Sequence, residues 1–235
     1  DSPLLFRSYN EVDYINAKFY DRFAAMFEEQ GFVLLGWAEV GFVYIFSDSK
    51  VQNLADLRKT KMWSWEGDPV AEATFKALDV NTVPLSVINV LTSLQTGMVN
   101  SVYISPLAIL ALQWFTKLNY MLDFPLTDAA GAVLISKRQY DRLPENLQEI
   151  LMRNAKTYLT KLMKQSRQDN INAKQTLKEN GIEIISAPEG TARQEFLDKG
   201  KAARRLMAGK LYPLSLVEEI EQALTEYRKN QKNSK

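Results

Sequence analysis

The chain has 235 residues, 46% of them hydrophobic, enough to bury one large core or two small ones. Its 29 Lys and Arg balance 28 Asp and Glu, and a net charge of +1 leaves no electrostatic footprint for nucleic acid. With no Cys and no His, the sequence excludes disulfides, thiol catalysis, Cys/His zinc sites and a histidine general base; no apolar run reaches the ~18 residues a membrane span needs.

Ser8-Tyr9-Asn10-Glu11 has the form of a capping box, and Ile15, Phe19, Phe23, Met26 and Phe27 continue it as one helix ending at Gly31. Residues 32–38 and 42–46 read as two strands separated by Glu39-Val40-Gly41. A strand is predicted at 61–65, then a helix started by Asp68-Pro69, with Asp at the cap and Pro in the first turn. A strand at 82–85, a helix from Ser86 to Gly97, a strand at 101–104 and a helix from Ser105-Pro106 follow. Strands at 118–124 and 132–136 complete an alternation that predicts a largely parallel sheet covered on both faces.

After Pro144, Leu147, Ile150, Leu151, Tyr158, Leu159, Leu162, Met163, Ala173 and Leu177 keep helical spacing to Asn180-Gly181. Such a helix is on the order of 50 Å long, too long for one small domain, so it is expected to cross two. A strand at 181–185 comes next. Ser186…Glu189 and Ser215…Glu218 are two more capping boxes, expected to start the last two helices, and the basic tail from Arg228 reads as a frayed, solvated end.

Catalytic chemistry finds little support. There is no nucleophile motif and no phosphate-binding glycine loop. Glu66 and Asp68 could be imagined as an acid pair, but Asp68 reads better as a helix cap and Glu66 as solvated. No metal site and no cofactor is expected. The aromatic residues stand out instead: Trp37, Phe42, Tyr44, Phe46, Trp63, Trp65, Tyr103, Trp114 and Phe115, many of them at or near strand ends, where open α/β sheets form ligand crevices. Trp63 and Trp65 alternate on one strand and so share a face.

Four motifs, in order, resemble a known family. The run Phe46-Ser47-Asp48-Ser49-Lys50-Val51-Gln52-Asn53-Leu54-Ala55-Asp56-Leu57-Arg58 is similar to the entry into the second lobe of DctP-type TRAP-transporter solute-binding proteins. Lys61-Met62-Trp63 resembles the strand after it, whose usual form is Lys-aliphatic-Arg. Leu94-Gln95-Thr96-Gly97-Met98-Val99-Asn100 resembles the Leu-Gln-x-Gly-x-Val-Asp signature, and Leu143-Pro144-Glu145-Asn146-Leu147-Gln148 the start of the long helix. The resemblance covers roughly residues 1–185.

It implies an α/β, two-lobed, periplasmic-binding-protein-like fold with a long helix spanning both lobes. Residues 1–46 with 124–143 and 181–235 would form lobe one, 47–123 lobe two, and 144–180 the interlobe helix. Hinges are expected at Phe46-Ser47 and Phe124-Pro125. Ser2-Pro3-Leu4-Leu5-Phe6 resembles a segment that family members reach only after about a hundred residues, so the first part of lobe one is expected to be absent. The implied role is capture of a small ligand in the periplasm for a TRAP membrane permease, with no catalysis; a tether through a removed N-terminal segment fits that role.

The ligand class departs from the family. Trp63 stands where the carboxylate-clamping Arg is usual, Val43 near an upstream polar or Arg position, and Ser105 where an Asn often assists. Indole has one donor and no charge, so it cannot replace a bidentate guanidinium. The expected ligand is therefore hydrophobic or weakly polar, and the expected site is Trp63, Val43, Ser105, Trp65, Tyr103, Trp37 and Tyr44. Some spirochaete members are thought to bind apolar ligands and to dock with a helical-repeat partner protein, and the likeness extends to them. Two other readings stay open: a partner-docking scaffold that has lost its ligand site, and a carboxylate-dependent hydrolase.

Overall fold

The computed structural model describes residues 2–233. Two of the expected strand pairs are single strands. Strand β1 runs Phe32–Ser47 and β5 runs Tyr120–Ser136. Between them lie β2 (Met62–Trp65), β3 (Thr82–Leu85) and β4 (Ser101–Ile104), and β6 (Glu183–Ile185) follows. The order across the single sheet is β3-β2-β4-β1-β5-β6. β2 pairs parallel with β3 and β4, and β5 with β6, but β1 is antiparallel to both β4 and β5. The sheet is therefore mixed rather than largely parallel, because Glu39-Val40-Gly41 is a bulge inside β1 and not a turn that ends it.

Three irregularities bend the β1–β5 ribbon. The largest lies between Val43↔Thr127 and Ile45↔Leu122, where Tyr44 alone stands opposite residues 123–126. Phe124-Pro125, an expected hinge, lies inside this irregularity, whereas Phe46 and Ser47 are in regular register with Met121 and Tyr120. The backbone N–H of Leu4 donates to the Leu126 carbonyl at 2.7 Å, so the first described residues strap the irregular stretch.

The helices are α1 (Tyr9–Lys18), α2 (Tyr20–Glu29), α3 (Leu54–Leu57), α4 (Pro69–Leu78), α5 (Val87–Gln95), α6 (Pro106–Ala111), α7 (Lys137–Tyr140), α8 (Glu145–Glu179), α9 (Gly190–Met207) and α10 (Leu214–Asn233). The expected first helix breaks at Phe19, which is buried beside Leu5, Leu216 and Leu224. Its capping box does not form. Ser8 makes no side-chain cap, because the Glu11 carboxylate is taken by the Arg7 N–H (2.8 Å) and the Arg228 guanidinium (2.6 and 2.8 Å). That ion pair also holds the supposedly frayed tail, which is helical through Asn233; Ser234 and Lys235, at its tip, lie outside the described residues. Of the later capping boxes, one lies before α9, which starts at Gly190, and the other begins one residue inside α10. Asp68 does cap α4, its Oδ1 accepting from the Val70 and Ala71 N–H groups.

Helix α8 has 35 residues and spans the molecule as its length required. Near its middle, Arg167 bridges buried Glu39 on β1 and Asp13 on α1, both at 2.6 Å. One turn on, the Asn170 amide donates to the Val40 carbonyl (2.9 Å) and its oxygen accepts from the Leu107 N–H at the start of α6 (3.1 Å). Gly41 makes this approach possible: with φ +108°, it leaves free a space where a Cβ would lie 2.8 Å from the Asn170 amide nitrogen. Farther along, Leu177 enters a core with Phe46, Trp63, Val102 and Trp114. A second core, holding Leu54, Phe75, Leu78 and Leu122, includes Phe196 of α9, which packs against α4 and α3. A third lies under α1 and α10.

Candidate ligand cavity

A cavity of about 280 Å³ opens where β2, β4, and the starts of α4 and α6 face the β1–β5 ribbon. Five of the seven expected site residues line it: Val43, Trp63, Trp65, Tyr103 and Ser105. The ribbon side of the wall comes from Val40, Val43, Leu126, Thr127 and Ala129, with Pro3 beside them.

Trp63 is 3% exposed, so it belongs to a core and to the cavity wall at once. Its ring stacks on Tyr103 (centroids 5.3 Å, 23°) and meets Trp114 edge-on (5.2 Å, 80°). Its one donor, the indole N–H, is spent on the Leu85 carbonyl at 2.9 Å. Trp65, two residues on, is 55% exposed and forms part of the cavity wall nearer solvent.

Several polar groups of the wall are likewise occupied. The Tyr103 hydroxyl accepts from the Trp65 N–H and donates to Asp68 Oδ2, both at 3.2 Å, and burial pushes its pKa above the ordinary phenol value. Asp68 spends its other oxygen capping α4. Ser105 is buried and its Oγ accepts from the Ala108 N–H at 3.3 Å, capping α6. Among the described residues Asp68 is the only formally charged one in the wall, and no Lys or Arg lines it. A carboxylate entering this cavity would lose water and meet no cation.

The acid pair imagined from sequence does not assemble. Asp68 is a helix cap, and Glu66 is exposed and forms no part of this wall. Among the described residues no cluster of three or more acidic side chains could hold a metal.

Trp37 and Tyr44 lie elsewhere. Trp37 packs edge-on against Phe23 (5.6 Å), and its buried indole nitrogen has no hydrogen-bond partner among the described residues. Tyr44 follows Val43 on β1 and lines a different cavity, beside Asp123 and Arg193. Sequence reasoning did not single out Leu126, Thr127, Ala129, Val40 and Pro3. Small and aliphatic side chains carry no motif; the pairing of β1 with β5 brings Val40, Leu126, Thr127 and Ala129 together, and the Leu4 N–H bond to Leu126 sets Pro3 beside them.

Two bodies of α/β structure, joined by the β1–β5 ribbon and crossed by α8, with a cavity between them, define a two-lobed, periplasmic-binding-protein-like architecture. The profile described as "Bacterial extracellular solute-binding protein, family 7", or DctP, matches residues 1–205. The chain belongs to this family of extracellular solute-binding proteins.

The chain is 29% identical to a solute-binding protein of Verminephrobacter eiseniae over 147 residues, 61% of this chain and 43% of that one. It is 27% identical to the 2,3-diketo-L-gulonate-binding periplasmic protein YiaO of Escherichia coli over 197 residues, 79% of this chain and 57% of that one. It thus spans about half the length of these curated relatives. The crystal structure of a TRAP periplasmic solute-binding protein from Ochrobactrum anthropi, its C-terminus bound in the ligand pocket, superposes with a TM-score of 0.85 at 23% identity. That match covers 98% of this chain and 72% of the other and shows the shared fold.

Proposed function

We propose that this chain carries the binding cavity of an extracytoplasmic receptor that hands a hydrophobic or weakly polar small ligand to a TRAP membrane permease. The observation that carries the ligand class is the wall around Trp63: mostly aromatic and aliphatic, with the Trp63 indole N–H spent on a backbone carbonyl and no cation among the described residues. Burying apolar ligand surface there stabilises the complex by about 25 cal/mol per Å², or about 1–2 kcal/mol for one indole face. YiaO, by its name, binds a sugar acid, and the missing guanidinium argues against that class here.

The site residues we propose are Val43, Trp63, Trp65, Tyr103 and Ser105, with Trp37 and Tyr44 outside the contact zone. Closure would bring residues 47–123, with α9 packed against α4, toward the rest of the chain, flexing at Tyr44 and residues 123–126. A helical-repeat protein is the proposed additional partner in delivery. A scaffold that had lost its site would be expected to fill the cleft with its own aromatics, and the open volume beside Trp63 favours a ligand.

The test is calorimetry with a panel of neutral hydrophobic probes and small dicarboxylates, on protein that includes any native flanking sequence. Medium-chain alcohols should bind, with compaction seen by small-angle scattering. Submicromolar binding of a dicarboxylate that is lost in Trp65→Ala would overturn the reading.

A further inference from the structure

A second cavity, also of about 280 Å³, lies where Tyr44 replaces Val43 and Leu4 replaces Pro3 as the lining residues. Its wall differs in kind. Arg7 and Arg193 both line it, with Tyr44, Asp123, Phe6 and Phe124.

The charges in this wall do not balance. Asp123 is already matched, its Oδ1 2.6 Å from the Lys174 ammonium. Arg7 uses its backbone N–H on Glu11, but its guanidinium has neither a hydrogen bond nor an ion pair among the described residues. Glu11, which could have served it, is held at two points by Arg228. Arg193 rests its guanidinium 5.0 Å above the Phe124 ring and has no acidic partner among the described residues. The Tyr44 hydroxyl also has no hydrogen-bond partner among them. The arginines feel one another: burial lowers the Arg7 pKa, and the fields of Arg228 and Arg193 add to that, against Glu11. Uncompensated like charges crowd together at little cost only where an anion or water neutralises them.

We infer that this cavity is a second binding site, for a small carboxylate with an aromatic or short aliphatic body. Two planar guanidinium forks match the two oxygens of a carboxylate, and the Tyr44 hydroxyl supplies one more donor. Leu4, Phe6 and Leu197 give the body an apolar surface to lie on. The site does not depend on what the cavity around Trp63 binds.

The test uses benzoate and its neutral counterpart benzamide, followed by calorimetry and ligand-observed NMR at low ionic strength. The proteins are the parent, Arg7→Gln, Arg193→Gln, Arg193→Lys and Trp65→Ala. Benzoate should bind the parent at least tenfold more tightly than benzamide, and added salt should weaken it. Each Arg→Gln change should weaken benzoate about tenfold, and Arg193→Lys, which keeps the charge but loses the fork, by less. Neither arginine side chain holds an ion pair, so thermal unfolding of these variants should stay at the parent's midpoint. Trp65→Ala, which alters only the other cavity, should leave benzoate binding as it was. Equal binding of benzoate and benzamide, unchanged binding in both Gln variants, or loss of binding in Trp65→Ala would each overturn the inference.

Discussion

The two cavities at the β1–β5 crossing have similar volumes and draw on adjacent residues of the same strand, Val43 for one and Tyr44 for the other. One has mostly aromatic and aliphatic walls, with the Trp63 indole N–H and the Tyr103 hydroxyl already engaged; the other holds two guanidiniums without an acidic partner among the described residues. The difference shows how much selectivity a strand can encode in one step. Successive side chains leave opposite faces, so a single residue's shift along β1 changes the solvent and the charge a ligand meets. It also shows that losing a cation from one crevice does not make the whole ribbon apolar.

The most disruptive way to break this contrast is to put a cation into the apolar cavity. Trp63→Arg removes a buried ring that contacts Tyr103 and Trp114 and leaves a charge without a partner other than Asp68. We expect a loss of about 3–5 kcal/mol in urea unfolding, with weaker binding of hydrophobic probes and a partial gain for carboxylates. A variant as stable as the parent would mean that the ring contributes little to the core.

The next effect comes from the ribbon itself. Asp128 stands opposite Phe42, its Oδ1 buried and without a hydrogen-bond partner among the described residues. Burial, and then Glu39, push its pKa up from 3.8 to about 7, against the pull of Arg167. The folded state therefore holds this proton more tightly than the unfolded chain. Below pH ~4 both states are protonated and the group costs nothing. As pH rises from there to 7 the unfolded carboxyl ionises while the native one keeps its proton, and stability should fall by on the order of 3 kcal/mol. Asp128→Asn should flatten that slope in denaturation midpoints measured from pH 4 to 8, and an equally steep slope in the variant would assign it to other groups.

Tyr103→Phe sharpens the contrast without breaking it. It removes a donor to Asp68 and an acceptor for the Trp65 N–H, and makes the wall more apolar. About 1–2 kcal/mol of stability should be lost, while neutral hydrophobic probes bind as well as before or better. Weaker binding of every neutral probe would show that the hydroxyl contacts the ligand. The smallest effect belongs to Arg7→Gln. An exposed side chain without a partner should change stability by no more than about 0.5 kcal/mol; a larger loss would reveal a structural contact.

Much of this was legible in the sequence because it rests on local rules. Helix α8 is written in the spacing from Leu147 to Leu177, and the cap of α4 in Asp68-Pro69, since a helix answers to residues three and four positions apart. Strand alternation joined Trp63 to Trp65, and the resemblance to DctP-type proteins pointed to Trp63, Val43 and Ser105; these four and Tyr103 line one cavity. The absence of Cys and His bounded the chemistry before any fold was known.

What the tertiary structure alone decided depends on partners distant in the chain. Glu11 could cap α1 or pair with Arg228, 217 residues away, and an ion pair with an arginine outweighs a local cap. Glu39-Val40-Gly41 could turn or bulge, and the choice fell to Arg167 and Asn170 of α8, which hold the bulge in place through Glu39 and Val40. Tyr44 and Val43 are neighbours in sequence with no mark to say which faces the apolar cavity. The irregular pairing that sets Tyr44 alone against residues 123–126 makes that choice, because register belongs to two strands together and is written in neither.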